Sequence, residues 1–246
     1  MSEQGTPPPT GTPLPDWTPR PWPPGTAMKG RFVTVELLDP ELHADDLFAA
    51  TSEDREGRNW TYMPYGPFAD KAAHRSWIED MYASQDLFFH AVIDNRTGKA
   101  VGALSFMRVQ PNVGVIEIGH ISFSPRLQRT PGATEAIWLM LSRAFDELGY
   151  RRCEWKCDSL NAPSRAAARR FGFRFEGIFR QATVYKGRNR DTAWFSIIDK
   201  EWPLLAPLYR QWLAPDNFDA AGRQKTSLSR LTAQALAAAW KDRRPS

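Results

Sequence analysis

The residues with the most chemistry to offer lie in one stretch, EIGHISFSPRLQRTPGATEA, which runs from Glu117 to Ala136. Its carboxylate Glu117 and its imidazole His120 are both able to take a proton from an amine. Beyond them a strand passes through a short loop straight into a helix. The first amides of a helix have no intrahelical acceptor and the helix dipole is positive there, so this junction suits an anion such as a pyrophosphate. Gln128, Arg129 and Thr130 add side-chain donors, and Gly132 keeps the loop supple.

Neither proton acceptor is unambiguous. Strand alternation puts Glu117, Gly119 and Ile121 on one face and Ile118, His120 and Ser122 on the other, which predicts that Glu117 and His120 do not share a pocket. His120 also reads as a hydrogen-bonded structural histidine, and Glu117 as a salt-bridged or surface carboxylate. A second polar pair, Asn161 and Ser164, opens a short helix; both types cap helices, and Pro163 suits a first turn. Between two helices, Trp60, Tyr62, Tyr65, Phe68 and Trp77 surround the loop NWTYMPYGPF, where they serve either as a substrate wall or as loop anchors.

The elements that must position these groups follow from periodicity. Strands are predicted at 31–38, 87–94, 100–109 and 115–123, the last three joined by turns at Asn95 to Gly98 and Asn112 to Gly114. Helices are predicted at 40–52 and 69–84. From Thr134 to Leu148 the residues Ile137, Met140, Leu141, Ala144, Phe145 and Leu148 fall on one helical face. Then come a strand at 153–157, a short Arg/Ala helix ended by Gly172, and strands at 177–185 and 192–198. Tail helices are predicted at 204–213 and 228–243. Strands that first run together and then alternate with helices predict an α/β fold: a mixed, mostly antiparallel sheet with helices on both faces.

Composition narrows the function classes. The chain has 246 residues, 42% hydrophobic, enough for one core with extensions. Nine prolines within residues 1–27 predict a flexible extended lead, followed by a domain at 28–200 and a helical extension at 201–246. Lead residues Trp17 and Trp22 are suited either to pinning it to the domain, the preferred reading, or to binding a partner as a proline-rich ligand does. Thirty-two Lys and Arg oppose twenty-eight Asp and Glu, and no basic stripe favours nucleic acid. No run reaches the roughly 20 apolar residues of a membrane span, and no signal core is present, so a cytoplasmic protein with no membrane partner is expected. Cys153 and Cys157 are four apart on a predicted strand, too far for a disulfide, and are expected to be buried free thiols; no metal is implied.

Taken together, the ordered motifs resemble the GNAT acetyltransferase superfamily over about Arg31 to Asp199. The loop resembles its Q/R-x-x-G-x-G/A motif, with Gln128 and Ala133 in the first and last places, Thr134 continuing the helix and Pro131 replacing the usual glycine. The stretch NAPSRAAARRFGFRFEGIFRQATVYKGRNRD is similar to the ribosomal-protein N-terminal acetyltransferases, matching N-x-x-S, G-F-x-x-E-G and G-x-x-x-D. The resemblance implies a GNAT fold and acetyl-CoA as co-substrate. It implies a pantetheine arm held by backbone groups of Ile121, Ser122 and Phe123 and touched by Asn161, and Ser164 as donor to the departing thiolate. Tyr185 lies near the place of a tyrosine acid in some relatives, although a strand-end core aromatic is the ordinary alternative. Relatives in the ribosomal-protein group carry a glutamate where this chain has Thr183.

A lysine ε-amine near pKa 10.4 is far harder to deprotonate than an α-amine near 7.7 to 8, so a base-poor site suits an α-amine. The expectation is transfer to a protein or peptide N-terminus. The alternatives are a small-molecule amine (antibiotic, amino acid or polyamine) and a non-catalytic acyl-CoA-binding module. A homodimer is one option for assembly.

Overall fold

The computed structural model describes residues 8–84 and 87–241. Strands β1 (Met28–Lys29) and β2 (Val33–Leu37) lead into helices α1 (Pro40–Thr51) and α2 (Lys71–Ala83). Strands β3 (Leu87–Asp94), β4 (Lys99–Gln110) and β5 (Val115–Phe123) follow, then α3 (Pro131–Ser142), β6 (Arg152–Asp158) and α4 (Ala162–Arg170). The chain continues through β7 (Arg174–Tyr185), β8 (Arg188–Ile198), α5 (Trp202–Leu213) and α6 (Leu228–Lys241). The strands form one sheet in the order β1-β2-β3-β4-β5-β6-β8-β7. Every neighbouring pair is antiparallel except β5 and β6, which run parallel.

Helices cover both faces, as the order of elements requires. On one face α1 and α2 close over Leu38, Ala44, Leu47, Ile78, Phe89 and Ala91. On the other, α3 to α6 share a larger core that includes Ile116, Ile118, Ile137, Met140, Tyr209 and Leu228. Alternation along β3 sends Phe89 and Ala91 to the first core and Val92 to the second.

Helix α3 starts at Pro131, ahead of the predicted Thr134. Proline at N1 gives up an amide the helix would not use, and the Thr130 hydroxyl caps the turn by accepting from the Ala133 amide at 3.3 Å. The helix loosens into a π turn at Arg143–Glu147, which keeps Ala144, Phe145 and Leu148 buried. Glu135 fixes α3 to the sheet edge, accepting the amides of Arg31, Phe32 and Val33 at 2.9, 2.6 and 2.9 Å. A Cβ at Gly30 would lie 2.4 Å from this carboxylate, so the turn needs glycine there.

Both extensions touch the domain. Trp17 Nε1 donates to the Asn112 carbonyl at 2.8 Å, Tyr150 Oη to that of Pro21 at 3.0 Å, and Arg143 Nη1 to that of Thr26 at 2.8 Å. In the tail, Tyr209 Oη donates to the Phe171 carbonyl at 2.6 Å and Thr232 Oγ1 to that of Arg170 at 3.2 Å. The predicted tail helix end at Asp242 and Arg243 lies outside the described residues, as do residues 1–7 of the lead. Cys153 and Cys157 lie on β6, buried and free. Among the described residues no helix is long and apolar enough to cross a membrane.

Candidate active site

Strands β5 and β6 pair only from Val115 to Glu117 against Arg152 to Glu154. Among the described residues β5 has no strand partner on that side from Ile118 onward, while β6 continues against β8. The two parallel strands therefore part like a wedge, whose open end leads to the N-termini of α3 and α4. A bulge accompanies the parting. Ala103 faces Ser122 and Ser105 faces Gly119, so β5 carries one extra residue, and His120 takes a φ of +50°. Bulges bend a strand and raise its twist. A second bulge sits on β4 at Arg108, φ +45°.

The parting leaves what an extended ligand arm with a phosphate end requires: an unpaired strand edge at 118–123 ending beside a helix N-terminus. The hydroxyls of Ser122 and Ser124 are buried without a partner among the described residues. Proline supplies no amide at position 131 and the Thr130 cap occupies that of Ala133, while the Gly132 amide has no acceptor among the described residues. These features fit acetyl-CoA. Gln128 does not reach outward: its Nε2 donates to the Phe123 carbonyl and to Asn59 Oδ1, both at 2.8 Å, shaping the loop instead. Arg129 is exposed at the mouth, with a φ of +61°. Thr134 is buried and accepts from Arg170 Nη2 at 3.0 Å. Ile121 is half-buried against the α3 core.

At the other lip, Asn161 caps α4 by accepting the Ser164 amide at 3.0 Å. Ser164 Oγ accepts from Trp155 Nε1 at 2.9 Å, an arrangement that fixes the oxygen and leaves its own proton to donate. Next to it the Cys157 thiol is pushed up by burial, although the Ser164 hydroxyl works against the shift.

The alternation argument fails at the bulge. Glu117 is flanked by Ile116 and Ile118, which point into the α3 core, so its side chain faces the α1 and α2 side. His120 lies on that same side, its ring 5.2 Å from Phe89. The extra residue resets which face each side chain takes, so the two groups share a face after all.

Neither is a free base. Glu117 is buried and bound by Arg108 Nη1 at 2.8 Å and by Lys156 Nζ at 2.9 Å; Lys156 also reaches Glu154 at 2.6 Å. Taking a proton there would weaken both ion pairs. The His120 Nδ1 lies 2.8 Å from the Tyr65 hydroxyl. Burial, with the charges of Arg108 and Arg190, holds the His120 imidazole down to about 4, so it is neutral at pH 7.

Above His120 the aromatic loop is packed as a cluster: Tyr65 lies 4.5 Å from Trp77, and Phe68 5.3 Å from Trp60. Tyr62 Oη donates to the Leu160 carbonyl at 3.1 Å. Lys186, at the β7–β8 turn, donates to the carbonyls of Trp60 and Gly66 at 2.8 and 2.7 Å. The loop is thus tied to both sides of the wedge. Tyr185 donates to Asp158 Oδ2 at 2.8 Å, and burial, together with that carboxylate, pushes its phenol up to about 12. Thr183 is exposed on β7.

Sequence reasoning missed Arg108, Lys156, Asn59 and Lys186. Only Lys186 carried a local signal. Lys186 and Gly187 both have positive φ, a turn type in which asparagine is preferred at the first place, so a lysine there is unusual. Among the described residues no group of three or more His, Cys, Asp or Glu is placed to hold a metal.

The model of the acetyltransferase (GNAT) domain matches residues 33–174. The chain belongs to the GNAT acetyltransferase family. It is 30% identical over 171 residues to the uncharacterized N-acetyltransferase YnaD of Bacillus subtilis (strain 168), covering 70% of this chain and 98% of that one. A GCN5-related N-acetyltransferase from Brucella melitensis superposes with a TM-score of 0.87 at 50% identity, covering 89% of this chain and all of that one. A putative ribosomal-protein-serine acetyltransferase from Vibrio cholerae has the same fold, with a TM-score of 0.61 at 19% identity, covering 72% of this chain and 99% of that one. This GNAT protein thus has its fold and its acetyltransferase class from the family.

Proposed function

We propose that this GNAT protein moves an acetyl group from acetyl-CoA to a primary amine, and that the amine is the α-amine of a protein or peptide N-terminus. The observation that carries the reading is the unpaired edge of β5 from Ile118 to Phe123, which ends at the cap of α3. Acetyl-CoA, when bound, supplies an acyl group already activated as a thioester. The backbone of Ile121 to Phe123 would hold its extended arm by strand-like pairing, and Asn161 lies at the opposite lip. The Gly132 amide and Arg129 would meet its phosphates.

The residues around the acceptor support an α-amine. Glu117 is committed to Arg108 and Lys156, His120 is neutral, and Thr183 has no basic group. An amine near pKa 8 is largely self-sufficient near neutral pH, whereas a lysine near 10.4 needs a strong base. His120 serves as a neutral hydrogen-bonding group that orients the amine directly or through water. Ser164, held by Trp155, donates its hydroxyl proton toward the departing sulfur as a placed hydrogen-bond donor. A cytoplasmic location accords with this role.

A thermal-shift titration with acetyl-CoA, free CoA and ATP tests the coenzyme half of the reading. Ligand at 100 times its dissociation constant adds about 2.7 kcal/mol, a rise of several degrees at this size. A rise with acetyl-CoA and CoA but not ATP is expected. No rise at millimolar acetyl-CoA refutes it.

A further inference from the structure

We propose that Arg190 selects acceptors that carry a carboxylate beside the reacting amine, as a peptide does when Asp or Glu follows its first residue. The inference rests on the N-terminal transfer reading above and names the acceptor class of that same site.

Side chains on β8 alternate: Ala193, Phe195 and Ile197 point into the α3 to α6 core, so Arg190, Thr192 and Trp194 take the opposite face. Arg190 Nε donates to Thr192 Oγ1 at 3.1 Å, which holds its stem there. This is the face of His120, where the charge of Arg190 is felt. Both residues are half-buried, between packed core and open water.

The charge balance of that face is the second observation. A chain of ion pairs crosses it from β4 to β7: Arg108 to Glu117 at 2.8 Å, Glu117 to Lys156 at 2.9 Å, Lys156 to Glu154 at 2.6 Å, Glu154 to Arg152 at 2.7 Å and Arg152 to Glu176 at 2.7 Å. Three cations alternate with three carboxylates, so the chain is neutral. Arg190 stands outside it. Among the described residues no carboxylate lies within ion-pair distance of its guanidinium, and its terminal nitrogens have no acceptor. Asp158, opposite Thr192 on β6, accepts from the Tyr185 hydroxyl and the Leu160 amide, both at 2.8 Å. Asp191 accepts from the Gln181 amide at 2.7 Å and from Asn189 Nδ2 at 3.0 Å. Lys186, at the β7–β8 turn, donates to the Trp60 and Gly66 carbonyls instead.

A half-buried guanidinium with both terminal nitrogens unpartnered suits a carboxylate, which it binds through two parallel N–H donors. The same charge disfavours a second positive charge nearby, so a protonated amine is held off and a neutral one admitted. An acidic side chain next to the amine therefore gains from Arg190 what a basic one loses.

Thiol release at saturating acetyl-CoA from three peptides tests the selection. They share alanine as first residue, contain no lysine, are amidated at the C-terminus and differ only at the second residue: Asp, Asn or Arg. Asp and Asn have nearly one shape, so their ratio reads charge. The parent is expected to favour Asp over Asn about tenfold in kcat/KM and to use the Arg peptide least. Arg190→Gln should bring the Asp to Asn ratio within about twofold, and Arg190→Glu should turn the order round in favour of Arg, which a merely structural role would not do. A melting temperature and a KM for acetyl-CoA like the parent's show that each variant is folded. A parent ratio near one, or a ratio that neither variant moves, overturns the selection and leaves α-amine transfer standing. No release from any of the three overturns the transfer reading and the selection with it.

Discussion

The Tyr65 hydroxyl lies 2.8 Å from His120 Nδ1, and the two rings stack 5.6 Å apart at 8°. A ring covered on one face by another aromatic and bonded at one nitrogen has little water to stabilise a positive charge. That is why His120 stays neutral far below the usual histidine range. In the proposed reaction the pH dependence then belongs to the acceptor. Activity on an α-amine substrate should rise with pH through about 8 and show no inflection near 6.5. Initial rates from pH 5.5 to 9 check this; a limb near 6.5 that disappears in His120→Gln would contradict it.

The same burial acts on stability. His74, His90 and His120 are each held down to about 4, in every case chiefly by burial, with the charge of Arg143 adding to it at His90 and those of Arg108 and Arg190 at His120. Their folded values lie below the unfolded value near 6.5, so between about 4 and 6.5 the unfolded chain binds more protons. Stability contributed by the neutral rings is full above about 6.5 and is lost as pH falls toward 4, by up to about 1.4 kcal/mol per pH unit for each ring. Urea unfolding midpoints at pH 7, 6 and 5 should fall in that order; equal midpoints would contradict the burial account.

The Glu135 clamp should be structural. Glu135→Ala strips an acceptor from three amides at the β1–β2 turn, which predicts a loss of about 3 kcal/mol or more and a melting temperature lower by roughly 6–12 °C. Differential scanning calorimetry measures it. A drop under about 2 °C would mean that water replaces the clamp at no cost.

Ser164 and Cys157 are neighbours with opposite expected roles. Ser164→Ala should lower kcat about tenfold or more with little change in the KM for acetyl-CoA, whereas Cys157→Ser should fold and turn over like the parent. Loss of activity in folded Cys157→Ser would mean that its thiol takes part in turnover.

Most of the architecture was legible because period-2 and period-3.6 patterns are strong in this chain. Strands β3 and β5 lie where alternation and turn residues put them, and α3 with the π turn that continues it follows the six-residue apolar stripe. What escaped was non-local or irregular. The start of α3 at Pro131 depends on a cap that the Thr130 hydroxyl makes only when the loop is folded. The His120 bulge adds a residue that strict alternation cannot foresee, and it brings Glu117 and His120 to one face. Gln128 reads as an anion donor by type, yet a nearer carbonyl at Phe123 claims it. The partners of Glu117 come from β4 and β6, and pairing across strands is not written in either segment.

Lys186 shows how such a cross-chain contact bears on function. Its ammonium joins the β7–β8 turn to the aromatic loop through the Trp60 and Gly66 carbonyls, so Lys186→Met should loosen that loop without touching the coenzyme strand. The expected outcome is a KM for the acceptor raised about threefold to tenfold while the KM for acetyl-CoA moves less than about twofold. Steady-state kinetics in both substrates check it; equal rises in both would assign Lys186 to general folding.

The central claim is transfer to an α-amine from a base-poor site, and its most direct test is thiol release at saturating acetyl-CoA from two matched peptides. One has a free N-terminus and no lysine; the other has a blocked N-terminus and one lysine. Release with the first at least about tenfold faster than with the second, at pH 7.5, is the predicted result. Faster release with the lysine peptide, or none with either, would contradict it.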